Sequence, residues 1–428
     1  MEGGLRVGAA EVEITPPVGT AMCGGIKPRL SEGVEDPLTI KAVVVESGGR
    51  RLAYVLADLC ALTRREGDAA VALASQRTGL APENILWAAS HTHTGPYVIP
   101  FFGAEESVVN SAWLATVPAR FADAVEAACG RLRPAAMSRM RGYCNNVCHN
   151  RRLRYKDGRE VNTWLLNRGE EAAQCLGAAG PVDPEVGIVC FDDAAGRPIA
   201  VLWQFALHTN TNFGKRFSAD YPAVVAARLR ERFGPEVISL YMPGTCGDIN
   251  AIVRGHRAVG DILSEVVLGC LERRTPVVGP VALGARKEEF TAPWRDVTTD
   301  QQARIAASQW PPAAGEAFRQ ELEIMRAAPA RVDRTVLQAW RIGDTGFASL
   351  PGEVFVEYGL QIKERSPFPW TWPVELGGDY IGYMVTRQAW EAGGYESLIA
   401  RSARPSVEAV EGMVARAIAL LGELARGG

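Results

Sequence analysis

The stretch "WAASHTHTGP" sets His91 and His93 on either side of one threonine, at the end of an apolar run and just before Gly-Pro. Imidazoles at this spacing suit a metal site, and they also occur as solvated or core histidines at a strand end. Three more chemically useful side chains stand at comparable places downstream: His208 in "FALHT", Glu353 in "LPGEVF" and Tyr383 in "DYIGYMV". Zinc takes imidazole nitrogen and carboxylate oxygen at roughly 2.0 to 2.2 Å, and keeps a position open for water when it is catalytic. A tyrosine oxygen is a less common ligand. Two histidines, a carboxylate and a phenol make a coherent hydrolytic set, provided the fold brings them together.

A repeated pattern supplies the means. The segment 36 to 59, "DPLTIKAVVVESGGRRLAYVLADL", reads as two strands around a Gly-containing turn, and 183 to 208, "DPEVGIVCFDDAAGRPIAVLWQFALH", has the same layout. Each is followed by an amphipathic helical stretch, "EGDAAVALASQRTG" or "YPAVVAARLRERFG", and then by a third strand, "NILWAAS" or "EVISLYM". A weaker third copy starts at "TVLQAWRIGDTGFASLPGE", continues through "FVEYGLQIKER" and is read as ending in "DYIGYMV". The expected fold is therefore α/β (α+β): mixed sheets from three ββαβ units, about 36–96, 183–250 and 335–385, in one domain spanning 1–428. Helical segments around 110–130 and 257–273, a helical insertion near 298–328 and a closing helix at 405–426 should flank the sheets.

In this register Asp58, His91 and His93 fall at strand ends of the first unit, His208 and the "PGTCGDIN" turn in the second, and Glu353 and Tyr383 in the third. Strand ends of related units can converge on one rim, and loops held by a rigid scaffold are where catalytic groups sit. Asp58 is read as a turn or capping carboxylate, with a partner to a metal histidine as the alternative, Asp220 as the helix cap of unit two, and His149 and His256 as surface or supporting residues. The tryptophan-rich "FPWTWP" (368 to 373) is read as packing, with a pocket wall as the alternative.

Composition narrows the partners. With 428 residues, 47% hydrophobic and 22% charged, the chain can bury a large core. A formal net charge of −3 with no basic face argues against nucleic acid and makes a small molecule the expected ligand. No apolar leader region opens "MEGGLRVGAAEVEITPPVGT", and no window of about 18 uncharged apolar residues follows, so the expectation is a cytoplasmic protein without a membrane segment. Nine cysteines without a CxxC pair suit a reducing compartment. Cys144 and Cys148 beside His149 form a weak zinc pattern, since structural zinc usually takes four tight ligands. Self-association as a homo-oligomer stays open.

These residues carry a resemblance. "SHTHTGP" resembles the SATHTHSGP signature of the neutral, non-lysosomal ceramidases, zinc-dependent amidases that cleave the N-acyl bond of ceramide. "EGVEDPLTIKAVVV", "HNRR", "FALHT", "LPGEVF" and "DYIGYMVTRQAWEAGGYES" match further family motifs in the same order, over nearly the entire chain. The resemblance implies one zinc per chain, bound by His91, His208, Glu353 and Tyr383. It also implies His93 near the attacking water, Arg151 near the substrate carbonyl or acid group, and Tyr395, twelve residues beyond Tyr383, facing substrate.

Two departures bear on substrate. "GDINAI" (247 to 252) stands where ceramidases carry a GDVSPN-like stretch, so the serine given a nucleophilic role there has no counterpart. Gly247, Asp248 and Asn250 either shape the pocket floor or make a tight turn with a helix-capping Asn. The chain also stops soon after the tyrosine segment, where ceramidases continue into a β-sandwich-like domain. The expectation is ceramidase-like hydrolysis of another small N-acyl or amide compound. Alternatives are a metal-dependent esterase or lactonase on the same site, and a non-catalytic ligand-binding relative. A TIM-barrel amidohydrolase fits poorly, because its HxH belongs on the first barrel strand and here about 90 residues precede it.

Overall fold

The computed structural model describes residues 4–102, 106–165, 170–300 and 312–427. Its architecture is mixed α/β, and three sheets built on one plan organise it.

The first sheet contains β1 (Arg6–Glu13), β2 (Thr39–Ser47) and β3 (Arg50–Ala57); helix α1 (Arg64–Thr78) then crosses to β4 (Ile85–Ala89), and α2 (Val117–Gly130) follows. The β2–β3 hairpin closes through Gly48 and Gly49, both at positive φ, as the tight two-residue turn between paired Ser47 and Arg50 requires. β3 and β4 run parallel, so the order is β4-β3-β2-β1 with a two-residue edge at Arg133–Pro134. "TIKAVVVES" makes a strand because its β-branched residues fill both faces of a pleated, covered sheet. Val43 and Val45 face the central core, while Ile40, Ala42 and Val44 face a second core shared with α1 and α2.

The second sheet repeats the plan. It uses β5 (Ala136–Tyr143), β7 (Glu185–Asp192), β8 (Pro198–Phe205), helix α3 (Tyr221–Phe233) and β9 (Ile238–Pro243), in the order β9-β8-β7-β5 with β8 and β9 parallel. A short strand, β6 (Cys148–Asn150), pairs outside this sheet with β10 (Ile249–Ala251), and α4 (His256–Leu271) follows.

The third sheet has β11 (Leu283–Pro293), then, after α5 (Pro312–Ala327), β12 (Val332–Ile342) and β13 (Thr345–Ser349). Next come β14 (Glu353–Val354), α6 (Val356–Arg365), β15 (Trp370–Val374), β16 (Tyr383–Met384) and the closing helix α7 (Val407–Arg426). The sheet order is β11-β12-β13-β15, with β13 and β15 parallel. Here the sequence reading needs correction: the third strand of this unit is Trp370–Val374, from the tryptophan-rich stretch, with Trp372 fully buried. The "DYIGYMV" segment supplies only β16, which pairs with β14 so that Glu353 lies opposite Tyr383. Alternation of large aromatics with Thr and Pro suits a covered strand better than the glycine in "DYIGYMV" does. Of the insertion expected near 298–328, residues 301–311 lie outside the described residues.

Inner faces of all three sheets meet in one core that includes Val43, Tyr54, Trp203, Leu240, Trp340 and Trp372. All nine cysteines are free thiols. No described helix is long and apolar enough to cross a membrane.

Candidate metal centre and active site

The loops leaving the C-terminal ends of the parallel strand pairs carry the site. Past β4 the chain turns sharply, with His91 at φ +67°, a conformation non-glycine residues seldom adopt and which persists only where surroundings impose it. Past β8 comes His208, and past β13 comes Glu353. All three are buried.

Backbone carbonyls fix the histidine tautomers. His91 Nδ1 lies 2.7 Å from the Cys60 carbonyl, His208 Nδ1 3.0 Å from that of Cys246, and His93 Nδ1 3.2 Å from that of Gly24. A carbonyl only accepts, so each Nδ1 carries a proton and each Nε2 points its lone pair inward. Those Nε2 atoms converge, 2.9 Å apart between His91 and His208 and 3.4 Å apart between His93 and His91. Glu353 Oε2 lies 3.3 Å from His91 Nε2 and 3.6 Å from His208 Nε2, buried and without a hydrogen-bond donor directed at it. Four acceptors thus face one small space.

Protonation can relieve this crowding only in part. Burial alone would keep His91 neutral, but the adjacent Glu353 carboxylate outweighs it and lifts His91 to about 8. Burial would likewise raise Glu353, and the His91 charge instead holds it at about 2. Burial and the His91 charge lower His93 to about 3, and burial with the nearby Arg151 pushes His208 well below its ordinary value. The cluster therefore accommodates one shared proton near neutral pH. A divalent cation satisfies the same acceptors, and histidines that donate their other ring nitrogen to backbone carbonyls are the usual way to hold one. The residues present fit a zinc-like ion. Cys60, His91 and His93 form a second compact set, but Cys60 Sγ, 3.8 Å from His91 Nδ1, faces a nitrogen whose proton is committed to the Cys60 carbonyl.

Tyr383 reaches the same space: its hydroxyl accepts from Arg151 Nη2 at 3.0 Å. Arg151 is 2% exposed and also donates from Nε to Glu396 Oε1 at 2.8 Å and from Nη1 to Asn250 Oδ1 at 3.3 Å. Tyr395 lies with its ring 5.4 Å from that of Tyr383, and its backbone N–H donates to Asn162 Oδ1. The structure thus gathers all seven residues singled out from the sequence around one cavity of about 390 Å³. Its wall is largely aromatic, including Tyr97, Phe101, Phe102, Trp164 and Phe213, and apart from the histidines Arg151 and Glu353 are the only charged side chains on its described lining.

Sequence reasoning missed two supporting residues. Tyr380 donates its hydroxyl to Glu353 Oε1 at 2.7 Å, fixing the carboxylate's orientation. Glu396, fully buried, binds Arg151, Arg152 Nη1 at 2.6 Å and Asn162 Nδ2 at 2.8 Å. Both sit beside residues that were recognised, in "DYIGY" and "GGYES", but their partners lie far along the chain and no local pattern reveals them.

The remaining residues raised by the sequence fall outside the cavity wall, apart from Asn250, which is on it. Asp58 accepts from Lys41, Thr39 N and Thr39 Oγ1 and serves as a structural carboxylate. Asp220 caps α3, accepting from Tyr221 N. His256 pairs with Glu35, and His149 faces Thr163. Cys144 and Cys148 belong to no metal-ready group among the described residues. Asn250 lies inside β10 and so caps no helix; the neighbouring Asp248 is buried and accepts from Val356 N and Asn150 Nδ2.

Three mixed sheets thus bring His91, His208 and Glu353 to one point. No protein-family model matches the chain, and no curated protein matches it. Among solved structures it shares the fold of the neutral ceramidase from Pseudomonas aeruginosa, with a TM-score of 0.76 and 18% identity over 99% of this chain and 75% of that one. A ceramidase complexed with C2 is similar, at TM-score 0.75 and 17% identity, covering 99% of this chain and 76% of that one. The motif resemblance to neutral ceramidases is therefore matched by the fold over nearly the whole chain.

Proposed function

We propose that the chain is a zinc-dependent hydrolase that cleaves the N-acyl bond of a small, neutral amide. The observation that carries this reading is the inward-facing set of His91 Nε2, His208 Nε2 and the donor-free Glu353 Oε2, with fixed tautomers and a cavity directly in front. His91, His208, Glu353 and Tyr383 would hold the ion. A divalent ion in that place supplies Lewis acidity toward an acyl carbonyl and toward water.

The remaining chemistry belongs to the chain's own groups. His93, kept neutral by burial and anchored at Nδ1 by the Gly24 carbonyl, presents a bare Nε2 that takes a proton from attacking water and returns it to the leaving amine. Arg151 and Tyr395 donate toward the oxygen on which negative charge develops; donors already in place cost no reorganisation at that moment. Glu396 balances the Arg151 charge, so the wall offers no unopposed cation to a substrate carboxylate. That balance, with the aromatic wall, favours a neutral amide over an acidic one. Ceramidase is the name of the fold's solved relatives; the limited cavity points to a shorter acyl group than a long-chain ceramide carries.

Elemental analysis of wild type, His91→Ala and Glu353→Ala, paired with hydrolysis of a panel of N-acyl amides, tests the proposal. About one zinc per chain in wild type is expected, lost together with activity in both variants. A wild type that neither carries nor takes up metal refutes it and leaves a ligand-binding protein.

A further inference from the structure

The short β6–β10 ladder places His149 opposite Asn250, and the chain leaving β6 is tied back by Arg151 N donating to Asp248 O at 2.8 Å. Two side chains distant in sequence, Arg151 and Asn250, thereby stand side by side on the cavity wall. Arg151 Nη1 donates to Asn250 Oδ1 at 3.3 Å, and Asn210 Nδ2 donates to the same oxygen at 3.3 Å. A guanidinium has no acceptor, so this contact fixes which end of the Asn250 amide is oxygen. Its NH₂ group must therefore face the other way.

Among the described residues, Asn250 Nδ2 makes no hydrogen bond, the side chain's bonds all being to Oδ1, although the residue is half-buried and lines the cavity. The guanidinium that bonds the Asn250 oxygen is 3.5 Å from His208 Nδ1, so the Asn250 side chain stands beside the candidate metal centre on the wall of the same cavity. Such a donor is expensive to desolvate unless whatever enters the cavity brings an acceptor. A structural capping role is excluded by position, since Asn250 is within β10 and α4 starts only at His256.

We infer that Asn250 is a substrate-contacting residue whose amide nitrogen donates to the acyl oxygen, beside Arg151, and so selects substrates with a strong carbonyl-type acceptor there. The inference rests on the amide-hydrolase reading for the identity of that acceptor. In the reaction water adds to the carbonyl carbon, the C–N bond breaks, and the proton leaves with the amine. Asn250 neither gains nor loses a proton; its contact strengthens as charge builds on the oxygen.

The test uses full-length, zinc-loaded protein with N-butyryl-p-nitroaniline as probe, and the variants Asn250→Ala and Asn250→Asp. The Asp variant keeps an acceptor for Arg151 and Asn210 but removes the donor. Both variants should lose about 100-fold in kcat/KM, mostly in kcat, with melting temperature and zinc content unchanged. The preference for the amide over the matching thioamide, whose sulfur accepts weakly, should shrink as well. Equilibrium binding of the same probe to metal-free protein, where no turnover occurs, should weaken about tenfold. Binding and kcat/KM within about threefold of wild type in both variants overturn the inference. A wild type that binds the probe without cleaving it defeats the hydrolase reading, and the binding ratio then judges Asn250 alone. A wild type that neither binds nor cleaves it defeats both.

Discussion

Replacing Tyr380 by phenylalanine removes one oxygen atom and tests whether Glu353 is held ready for a metal. The Tyr380 hydroxyl donates to Glu353 Oε1 at 2.7 Å with both groups buried, while its ring sits 5.4 Å from that of Phe101, a contact phenylalanine retains. A hydrogen bond to a buried charged group is worth about 2 kcal/mol. Without it the metal-free carboxylate relaxes, and ion binding must reverse that relaxation. At 1.36 kcal/mol per decade the upper limit is roughly a 30-fold rise in the zinc Kd, within the roughly 10- to 100-fold span of outer-sphere partners. Competition with a fluorescent chelator at about pH 9 measures this with little interference from the His91 proton. Tyr54→Phe is the control: that hydroxyl is also buried but donates to the Tyr241 carbonyl, away from the site. A Tyr380→Phe shift below about threefold, or one equal to that of Tyr54→Phe, refutes the reasoning.

Zinc affinity should also depend on pH with a definite sign. His91 is lifted to about 8 when no ion faces it, so binding displaces a proton below that pH; affinity should fall about tenfold per unit below 8 and level off above it, and titrations spanning that value would expose a flat profile. Glu396→Gln leaves Arg151 and Arg152 sharing a neutral partner in a buried site, so stability should drop by about 3 kcal/mol along with activity, as denaturant titration and rate measurements would show. Gly247→Ala puts a Cβ 2.6 Å from the Glu353 carbonyl oxygen. Because that neighbour is backbone, the Glu353 loop must move, and zinc content should fall even where the protein remains folded by circular dichroism.

Local signals account for much of what was legible beforehand. Apolar β-branched runs on either side of a Gly-containing turn, and amphipathic stretches leading into a third apolar run, describe hairpins and crossover helices through contacts close in sequence. The third unit misled because "FPWTWP" and "DYIGYMV" both resemble strand, and pairing with β13 decides between them. Side-chain type likewise singled out His91, His93, His208, Glu353 and Tyr383, since imidazoles, a carboxylate and a phenol at strand ends suggest chemistry before any coordinates exist; Arg151 and Tyr395 came only from the motif resemblance.

The sequence by itself determined the α/β elements, the residue types able to bind a metal and their order along the chain. Tertiary structure alone decided that His91 and His208, 117 residues apart, aim bare nitrogens at one point with the Glu353 carboxylate beside them. It also decided that Tyr380 steadies Glu353, that Glu396 balances Arg151, and that Asn250 faces a cavity rather than a helix end. The physical reason is that backbone propensity acts over a few residues, whereas tautomer, charge balance and donor direction depend on carbonyls and side chains brought from all three sheets.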